Sequence, residues 1–404
     1  MSVSIVHPWD PWRQAGIGVD TSLDGMVRAA PPDWKLELIG TTADVAARPV
    51  GRWLDLDFAG RPVRFYAALA NTSPNDIQAL PLSLQFALAC WRRGVHTSGR
   101  IVQFHRFESG LATRLRAGQR AVYFFHSHPP EETRLGPNNV RWRYLPFLYR
   151  SLLLGRIRRA SLVVAFDPRT PAWVEAAVPA LRGQVFLLRQ WADPRFFQPA
   201  TGEDRLRRAA SLRERLNLPA DTRIVLFVGR LEPEKDPLHL LHAFAELASG
   251  SPPVFLLMVG QGRMGAAIDE AILSLGLEAR VRRMPSVGRA DLADLYRGVD
   301  LLACTSSFEG GPKVAFEALA SGTPVVSFDV GQIGQVLAQS PDAGALVMER
   351  TPSSFCAAMR RVLSSASDGR QSIRCAQIAQ RYTPERALAE LFQRYPDGEA
   401  PARG

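Results

Sequence analysis

The chain has 404 residues, of which 46% are hydrophobic and 22% are charged, and its formal net charge at pH 7 is +10. This length suits two domains with buried cores, and the composition excludes a disordered or fibrous protein. No run of eighteen apolar residues occurs, so we expect no transmembrane helix, and the start MSVSIVHPWD lacks the basic and apolar regions of a signal peptide.

The positive charge and the cysteines narrow the class of protein only slightly. A charge of +10 fits nucleic acid, an anionic membrane surface or phosphorylated substrates, and it does not choose among them. The four cysteines, Cys90, Cys304, Cys356 and Cys375, are scattered without Cys-x-x-Cys spacing. We therefore expect reduced thiols in a cytoplasmic protein, without a disulfide framework or a zinc site.

The first half alternates strand-like and helix-like segments, which predicts an α/β fold. Continuous apolar runs such as Leu162–Ala165 are typical of parallel strands buried on both faces by helices. The predicted strands are Val3–His7, Lys35–Ile39, Ile101–Phe104, Ala121–His126, Leu162–Phe166 and Val185–Leu188. The predicted helices are Thr21–Ala30, Leu82–Arg93, Gly110–Arg116 and Thr170–Leu181.

Two short patterns near the start have both a functional and a structural interpretation. Gly16 and Gly18, between the first strand and helix, permit close approach to a phosphate or sugar, but a tight turn explains them equally simply. Asp55 and Asp57 form an Asp-x-Asp pattern that can hold a metal and a diphosphate. Because these acids alternate with apolar residues, a solvated strand face is the favoured interpretation.

The segment VYFFHSHPPEE places His126 at the carboxyl end of an apolar strand, and His128 lies two residues further on. In α/β domains that edge of the sheet faces the ligand-binding crevice. Three interpretations remain open for His126: a core histidine, a metal-binding pair with His128, or a polar group above a reacting sugar. His105, which ends the preceding strand, is a second candidate for the crevice.

Residues 140–159 contain six arginines and no acid, interleaved with aromatic and aliphatic residues. Such a basic amphipathic segment can dock on an anionic membrane surface. Arginine stems can also pack on their own domain and leave their charged heads in water. The sequence leaves both interpretations open.

The second half begins after the crossing segment Arg189–Pro199, and its first predicted strand is Arg223–Val228. Gly229, Arg230 and Lys235 follow that strand. The arginine offers a planar fork to phosphate oxygens and the lysine a point charge, so the pair suits a diphosphate. The next strand, Val254–Val259, is followed by Gly260, and a further strand is predicted over Val281–Val287.

The stretch Asp300–Leu337 carries the most specific pattern. A strand runs into a polar turn, a helix begins at about Pro312 and stops at Gly322, and a second strand closes a βαβ-like unit. A helix N-terminus suits a phosphate, and carboxylates such as Glu309 and Glu317 can accept hydrogen bonds from sugar hydroxyls. Taken singly, Glu309 is better explained as a helix cap and Glu317 as a solvated side chain, but the whole string favours a binding site.

The string Glu-Gly-Gly-Pro-Lys-Val-x-x-Glu-Ala-Leu-Ala-x-Gly-x-Pro-Val-Val resembles the donor-site motif of retaining GT-B glycosyltransferases of family 4. The resemblance implies that Glu309 contacts the donor sugar, that Glu317 binds the ribose, and that His126 lies near the donor sugar. It places Arg230 and Lys235 on the donor diphosphate. It also implies donor-binding positions at Gly16, Gly18, Gly229, Gly260, Met284, Gly310, Gly311, Pro312, Lys313 and Val314.

This resemblance implies a GT-B fold, with two Rossmann-like parallel-sheet domains facing each other across a cleft. We expect an acceptor domain over residues 1–197, a donor domain over 198–380, and a C-terminal helix with a tail over 381–404. The expected activity is retaining transfer from a nucleotide-diphosphate sugar to a glycan or lipid-linked acceptor, in cell-surface polysaccharide or glycolipid synthesis. No metal or other cofactor and no nucleic acid are expected, and the expected location is the cytoplasm, with contact to the inner membrane face if residues 140–159 dock there.

Two other classes of function stay open. A GT-B epimerase or phosphorylase would keep the fold and change the reaction, but an epimerase needs further acid and base carboxylates and a phosphorylase a pyridoxal-phosphate lysine. A non-catalytic basic protein that binds membranes would not require Arg230, Lys235, Glu309 and Glu317 together. The sequence does not identify the nucleotide base, the donor sugar or the acceptor.

Overall fold

A computed structural model describes residues 1–13, 18–72, 80–131, 144–200, 202–250, 252–365 and 370–395. The chain forms two compact units. Unit 1 comprises Met1–Leu188 and Leu388–Gly404, and unit 2 comprises Arg189–Ala387. The change of unit after Leu188 lies before the sequence-based boundary at 197, and the return at Leu388 lies after the sequence-based boundary at 380.

Unit 1 is built on an eight-stranded sheet with the order β3-β4-β2-β1-β5-β6-β7-β8. Its strands are β1 (Ser2–Val6), β2 (Lys35–Thr42), β3 (Trp53–Asp57), β4 (Pro62–Ala70), β5 (Ile101–Phe104), β6 (Arg120–Phe125), β7 (Leu162–Ala165) and β8 (Val185–Leu187). Its helices are α1 (Gly18–Ala29), α2 (Leu82–Arg92), α3 (Phe107–Ala112), α4 (Pro146–Ile157) and α5 (Thr170–Ala177). The strands β5 and β7 are buried throughout, as their continuous apolar sequences predict.

One edge of this sheet departs from the parallel pattern. β3 pairs antiparallel with β4, and β4 pairs parallel with β2. β4 was not predicted as a strand from the sequence. Asp55 and Asp57 lie on the edge strand β3, where the Asp55 side chain is 92% exposed. These acids therefore occupy a solvated strand face, which is the interpretation that their alternation favoured.

Unit 2 is built on a six-stranded, fully parallel sheet with the order β11-β10-β9-β12-β13-β14. Its strands are β9 (Arg223–Val228), β10 (Val254–Val259), β11 (Val281–Met284), β12 (Leu301–Cys304), β13 (Val325–Phe328) and β14 (Gly344–Val347). Its helices are α6 (Gly202–Arg215), α7 (Pro237–Ala248), α8 (Gly265–Ser274), α9 (Arg289–Gly298), α10 (Lys313–Ala320), α11 (Gly331–Gln339), α12 (Pro352–Ser365) and α13 (Arg370–Ala379). A last helix, α14 (Pro384–Gln393), includes the return to unit 1 at Leu388.

The βαβ unit predicted in the Asp300–Leu337 stretch is confirmed as β12, α10 and β13. Pro312 precedes α10 in an extended conformation, and Gly322 follows it with φ +82°, where a residue without Cβ is favoured. The helix predicted over Gly110–Arg116 instead spans Phe107–Ala112, and α13 was not predicted. Each unit has its own apolar core, so each can hold its strand ends in place without the other.

No helix in the described part of the chain is long and apolar enough to cross a membrane.

Candidate active site

The strand order of unit 2 identifies where a ligand should bind. The chain builds β9, β10 and β11 in one direction across the sheet, and β12, β13 and β14 in the other. β9 and β12 are therefore neighbours whose following loops diverge, which opens a crevice outside their carboxyl ends. Residues after β9 and after β12 lie at this crevice.

The carboxyl ends of β9, β10 and β11 bring three of the predicted residues side by side. The Gly229 N–H donates to Val259 O at 3.1 Å, and the Gly260 N–H donates to Met284 O at 3.0 Å. Gly260 has φ +144°, and a Cβ at this position would lie 1.9 Å from Gly229 O. Only glycine is compatible with this close packing of two backbones, so the second glycine has a structural requirement of its own.

The turn after β9 is tied to the loop after β12 by hydrogen bonds. The Thr305 hydroxyl donates to the carbonyl oxygens of Lys235 and Asp236, each at 3.0 Å. The Ser307 N–H donates to Glu234 O at 2.8 Å. These bonds explain the polar turn seen in the sequence, because it holds the segment that carries Lys235 beside the segment that carries Glu309.

Each predicted phosphate-binding cation is paired with a carboxylate. Arg230 contacts Glu234 Oε1 at 2.9 Å, and burial raises the pKa of Glu234 against the opposing effect of that arginine. Lys235 Nζ forms an ion pair with Glu309 Oε1, and both side chains are largely buried. The Ser306 hydroxyl donates to the same Glu309 oxygen at 2.8 Å. The site is thus close to neutral, and both cations have partners that an anionic ligand must replace.

The glycine pair after Glu309 is packed against the rest of unit 2. The Gln190 amide donates to Gly311 O at 2.8 Å, and a Cβ on Gly311 would lie 3.1 Å from that amide nitrogen. Gly331, at the start of α11 with φ +50°, approaches Gly310 so closely that a Cβ would lie 2.5 Å from Gly310 O. At Gly311 the missing side chain therefore makes room for Gln190, which is a different reason from the close approach of a ligand expected from the sequence.

Glu317 lies on α10, one to two turns from the helix start that holds Pro312, Lys313 and Val314. Burial raises its pKa, and the nearby Lys313 and Arg289 cations oppose that shift. The Tyr296 hydroxyl lies 3.5 Å from Glu317 Oε2, and Lys313 Nζ lies 4.6 Å from the centre of the Trp191 ring. A carboxylate with this burial and these neighbouring cations is not an ordinary solvated helix residue. It is suited to accept hydrogen bonds from ligand hydroxyls.

In unit 1, three neighbouring strands each end in a histidine. His7 follows β1, His105 follows β5 and His126 follows β6. His105 Nδ1 lies 3.0 Å from His126 Nε2, and the rings of His7 and His105 are 6.0 Å apart. The predicted crevice residues His105 and His126 are therefore in direct contact. Gly18 begins α1, and Gly16 lies outside the described residues.

The described residues give no arrangement suited to a metal ion. His128 does not point with His126 into a shared site but bonds to Thr170 Oγ1 at 3.1 Å. Within the described ranges, no group of three or more His, Cys, Asp or Glu side chains is placed to hold a metal. The metal-binding interpretation of the His126–His128 pair is therefore not supported by these two side chains.

Comparisons with known proteins identify the family of the chain. The family of glycosyl transferases group 1 matches residues 209–381. A D-inositol 3-phosphate glycosyltransferase of Kineococcus radiotolerans is 36% identical over 228 residues, which are 52% of this chain and 51% of that protein. The chain thus spans about half the length of this relative. D-inositol 3-phosphate glycosyltransferase 2 of Catenulispora acidiphila is 32% identical over 295 residues, 65% of this chain and 68% of that protein. The chain belongs to the group 1 glycosyltransferases.

A solved structure supports the fold of this group 1 glycosyltransferase over its whole length. Sucrose-phosphate synthase from Thermosynechococcus elongatus superposes with a TM-score of 0.76 at 21% identity, covering 98% of both chains. The predicted α/β fold with two Rossmann-like parallel-sheet domains is confirmed. The family match lies within unit 2 and contains Arg230, Lys235, Glu309 and Glu317, whereas His126 lies outside it.

Several residues of this site were not identified from the sequence of the glycosyltransferase. Glu234 binds Arg230 and Ser306 binds Glu309. Both lie in segments with recognisable motifs, so their polar character was a usable signal. Tyr296 and Gln190 come from other elements and reach the site only through the fold. No local pattern marks them.

Proposed function

We propose that the protein transfers a glycosyl group from a nucleotide-diphosphate sugar to an acceptor, with retention of anomeric configuration. The observation that carries the proposal is that Arg230 and Lys235 follow β9 and Glu309 follows β12, with Lys235 and Glu309 in an ion pair. These residues supply two cations and one carboxylate at the switch point of a parallel sheet. That combination suits a ligand with a diphosphate and sugar hydroxyls.

Each residue has a role that its contacts support. Arg230 and Lys235 neutralise charge as the diphosphate leaves, which is an electrostatic stabilisation of the transition state. Glu309, released from Lys235 by the diphosphate, accepts hydrogen bonds from the donor sugar. Glu317 accepts hydrogen bonds from the ribose; burial raises its pKa, and the Lys313 and Arg289 cations oppose that shift. We propose that His126 accepts a hydrogen bond from a sugar hydroxyl of the substrate.

The proposed reaction is attack by the acceptor hydroxyl on the face that the diphosphate leaves. The C–O bond to the diphosphate breaks as the new glycosidic bond forms. A donor phosphate oxygen takes the acceptor proton, so no enzyme base and no covalent enzyme intermediate are required. In this proposal the two cations neutralise the leaving group without a metal ion.

The proposed acceptor is a glycan or a lipid-linked saccharide, because unit 1 exposes an amphipathic surface. Helix α4 buries Tyr149, Leu153 and Ile157, which lie on one face at helical spacing. Phe147 is 88% exposed and Leu148 is 47% exposed, so neither belongs to that buried face. Exposed aromatic and basic residues on one short helix favour contact with an anionic membrane surface, where polysaccharide or glycolipid precursors reside. The first four residues of the 140–159 segment, 140–143, lie outside the described residues.

The proposal is tested by a thermal-shift panel of UDP, GDP, ADP, dTDP and their common sugar conjugates, with chelator present. A ligand at about a hundred times its dissociation constant should stabilise the protein by about 2.7 kcal/mol. Lys235→Ala should abolish the shift, whereas Lys35→Ala, an exposed lysine on β2 of unit 1, should retain it. Absence of a shift with every nucleotide at millimolar concentration would contradict the proposed donor site.

The nucleotide identified by the panel then defines the transfer assay. One class of candidate acceptor is the lipid-linked saccharides. Another candidate is D-inositol 3-phosphate, the compound in the names of the two relatives. NMR of the product reports the anomeric configuration directly. A product with inverted configuration would contradict the retaining mechanism.

A further inference from the structure

Four side chains of unit 1 form a continuous hydrogen-bonded row that ends at His126. The Gln103 amide Nε2 donates to the Tyr395 hydroxyl at 2.6 Å, and Gln103 Oε1 lies 3.2 Å from His105 Nε2. His105 Nδ1 lies 3.0 Å from His126 Nε2. Tyr395, Gln103 and His105 are each at most 2% exposed, so water does not compete for these bonds.

The chemistry of the buried imidazole orients the whole row. Burial lowers the pKa of His105 to about 3, so this ring is neutral near pH 7 and carries one N–H. Because the neighbouring Gln103 Oε1 can only accept, the proton of His105 lies on Nε2. His105 Nδ1 is then an acceptor, and the Nε2 of His126 must donate to it.

We propose that Tyr395, Gln103 and His105 are positioning residues that hold His126 as its Nε2–H tautomer. This inference rests on the proposed role of His126 at the donor sugar. Neutral His126 then has Nδ1 as its only accepting ring nitrogen, so it recognises a sugar hydroxyl as a hydrogen-bond acceptor. If Nδ1 takes a proton, the imidazolium keeps its Nε2–H bond to His105 and is stabilised by it.

The rings around the row restrict the orientation of both imidazoles. The His105 ring stacks on Phe124 with centroids 4.1 Å apart, and the His126 ring stacks on Phe166 at 4.9 Å. Besides His126, the titratable His7 has its ring 6.0 Å from that of His105, and burial, His105 and Arg106 lower the pKa of His7. Asp20 lies 3.8 Å from His7 Nε2.

The distal end of the row is supplied by the C-terminal part of the chain. Tyr395 follows α14 and stacks on Trp34 with ring centroids 5.8 Å apart. Unit 1 therefore receives a buried hydroxyl from a residue that is 292 positions away from Gln103. The return of the chain to unit 1 is tied to the orientation of a residue proposed to bind substrate.

The test records the imidazole ¹⁵N NMR spectrum of the full-length wild type and of two Gln103 variants. A His126→Asn variant identifies the signals of His126. The wild type should show the Nε2–H tautomer of His126. Gln103→Glu retains the acceptor for His105 and should preserve that tautomer. Gln103→Leu removes the acceptor and should give a mixture, and Tyr395→Phe, which keeps the ring volume, should shift the spectrum in the same direction.

Steady-state kinetics distinguish a positioning role from a merely structural role, because only a positioning role predicts a lower kcat with a nearly unchanged KM. Gln103→Leu should lower kcat by about 10-fold, as loss of an outer-shell partner of a functional imidazole does, with KM for the nucleotide sugar within about twofold. Gln103→Glu should recover most of kcat. An Nδ1–H tautomer in the wild type, or an unchanged His126 tautomer in a folded Gln103→Leu variant, overturns the proposal. Because the spectra need no substrate, an inactive wild type with the Nε2–H tautomer refutes the proposed function and leaves the row supported.

Discussion

At the scale of single residues, the ion pair between Lys235 and Glu309 links the two parts of the proposed donor. The lysine that should bind the diphosphate forms an ion pair with the carboxylate that should bind the sugar. Lys235 cannot bind the diphosphate, and Glu309 cannot bind the sugar, until this ion pair separates. A diphosphate that attracts Lys235 therefore also releases Glu309, so that binding of one part of the donor prepares the site for the other.

The substitution Glu309→Gln tests this exchange. It removes the charge that competes for Lys235 but keeps an oxygen that can accept from Ser306. We expect the free nucleoside diphosphate to bind more tightly, by about 1 kcal/mol or roughly fivefold in Kd, since this is the upper range for a partly accessible ion pair. We expect the added affinity contributed by the sugar, and most of kcat, to be lost.

Isothermal titration with the diphosphate and with its sugar conjugate measures both effects. Glu270→Gln on α8, an exposed glutamate, is the matched control and should change neither affinity. Weaker binding of the free diphosphate to Glu309→Gln would show that Glu309 does not compete for Lys235.

At the scale of secondary-structure elements, the buried histidines His7 and His105 at the ends of β1 and β5 should make the stability of unit 1 depend on pH. Burial lowers the pKa of His105 to about 3 and that of His7 well below its usual value of 6.5. The unfolded chain therefore binds more protons than the folded chain below about pH 6.5. The stability contributed by the neutral rings is complete above that pH and is lost progressively as the pH falls towards the folded-state values.

Native-state hydrogen exchange of the β5 and β6 amides, corrected for intrinsic exchange rates, measures this loss. Each buried histidine contributes a slope of at most about 1.4 kcal/mol per pH unit between pH 6.5 and 4. His105→Gln removes one titrating group, so the slope should fall by the contribution of one histidine, whatever the substitution does to the absolute stability. His96→Gln, which changes an exposed histidine of the same unit, should leave the slope unchanged. Equal slopes for the wild type and His105→Gln would contradict a neutral, buried His105.

Sequence patterns predicted the elements that are encoded locally. The helix α10 is bounded by Pro312 and Gly322, and both boundary signals are contained in the segment itself. The strand β4 was not predicted, although Val63 and Phe65 are buried and alternate with exposed Pro62 and Arg64, which is a usable strand signal. Its parallel pairing with β2, in contrast, is set by the fold.

The same distinction applies to the candidate site. Four candidate residues could be chosen from the sequence because each follows a predicted strand or lies on a predicted helix: Arg230, Lys235, Glu309 and Glu317. Their pairing could not, since Lys235 and Glu309 are 74 residues apart and meet only through adjacent parallel strands. The role of Gln190 beside Gly311 is likewise a tertiary contact over 121 residues.

At the scale of the whole molecule, the net charge of +10 and the surface of α4 can be tested together. Electrostatic attraction to anionic lipids is long-ranged and is screened by salt, whereas insertion of an exposed aromatic ring depends on burial of apolar area. The exposed residues Phe147 and Arg150 lie on the same helix and supply both contributions. Each contribution then predicts a different response in a binding experiment.

Vesicle co-sedimentation, with and without phosphatidylglycerol, separates the two contributions. Phe147→Ser should lower the partition coefficient by about 10-fold, since burial of one large apolar side chain contributes about 1.5–3 kcal/mol and insertion at an interface is partial. Binding of the wild type should weaken as salt is raised and should require the anionic lipid. Leu273→Ser, which removes an exposed apolar side chain from α8 of unit 2, should leave the partition unchanged. If neither substitution reduces binding, the attraction comes from the overall charge of the molecule and not from α4, and the case for a membrane-linked acceptor loses its structural support.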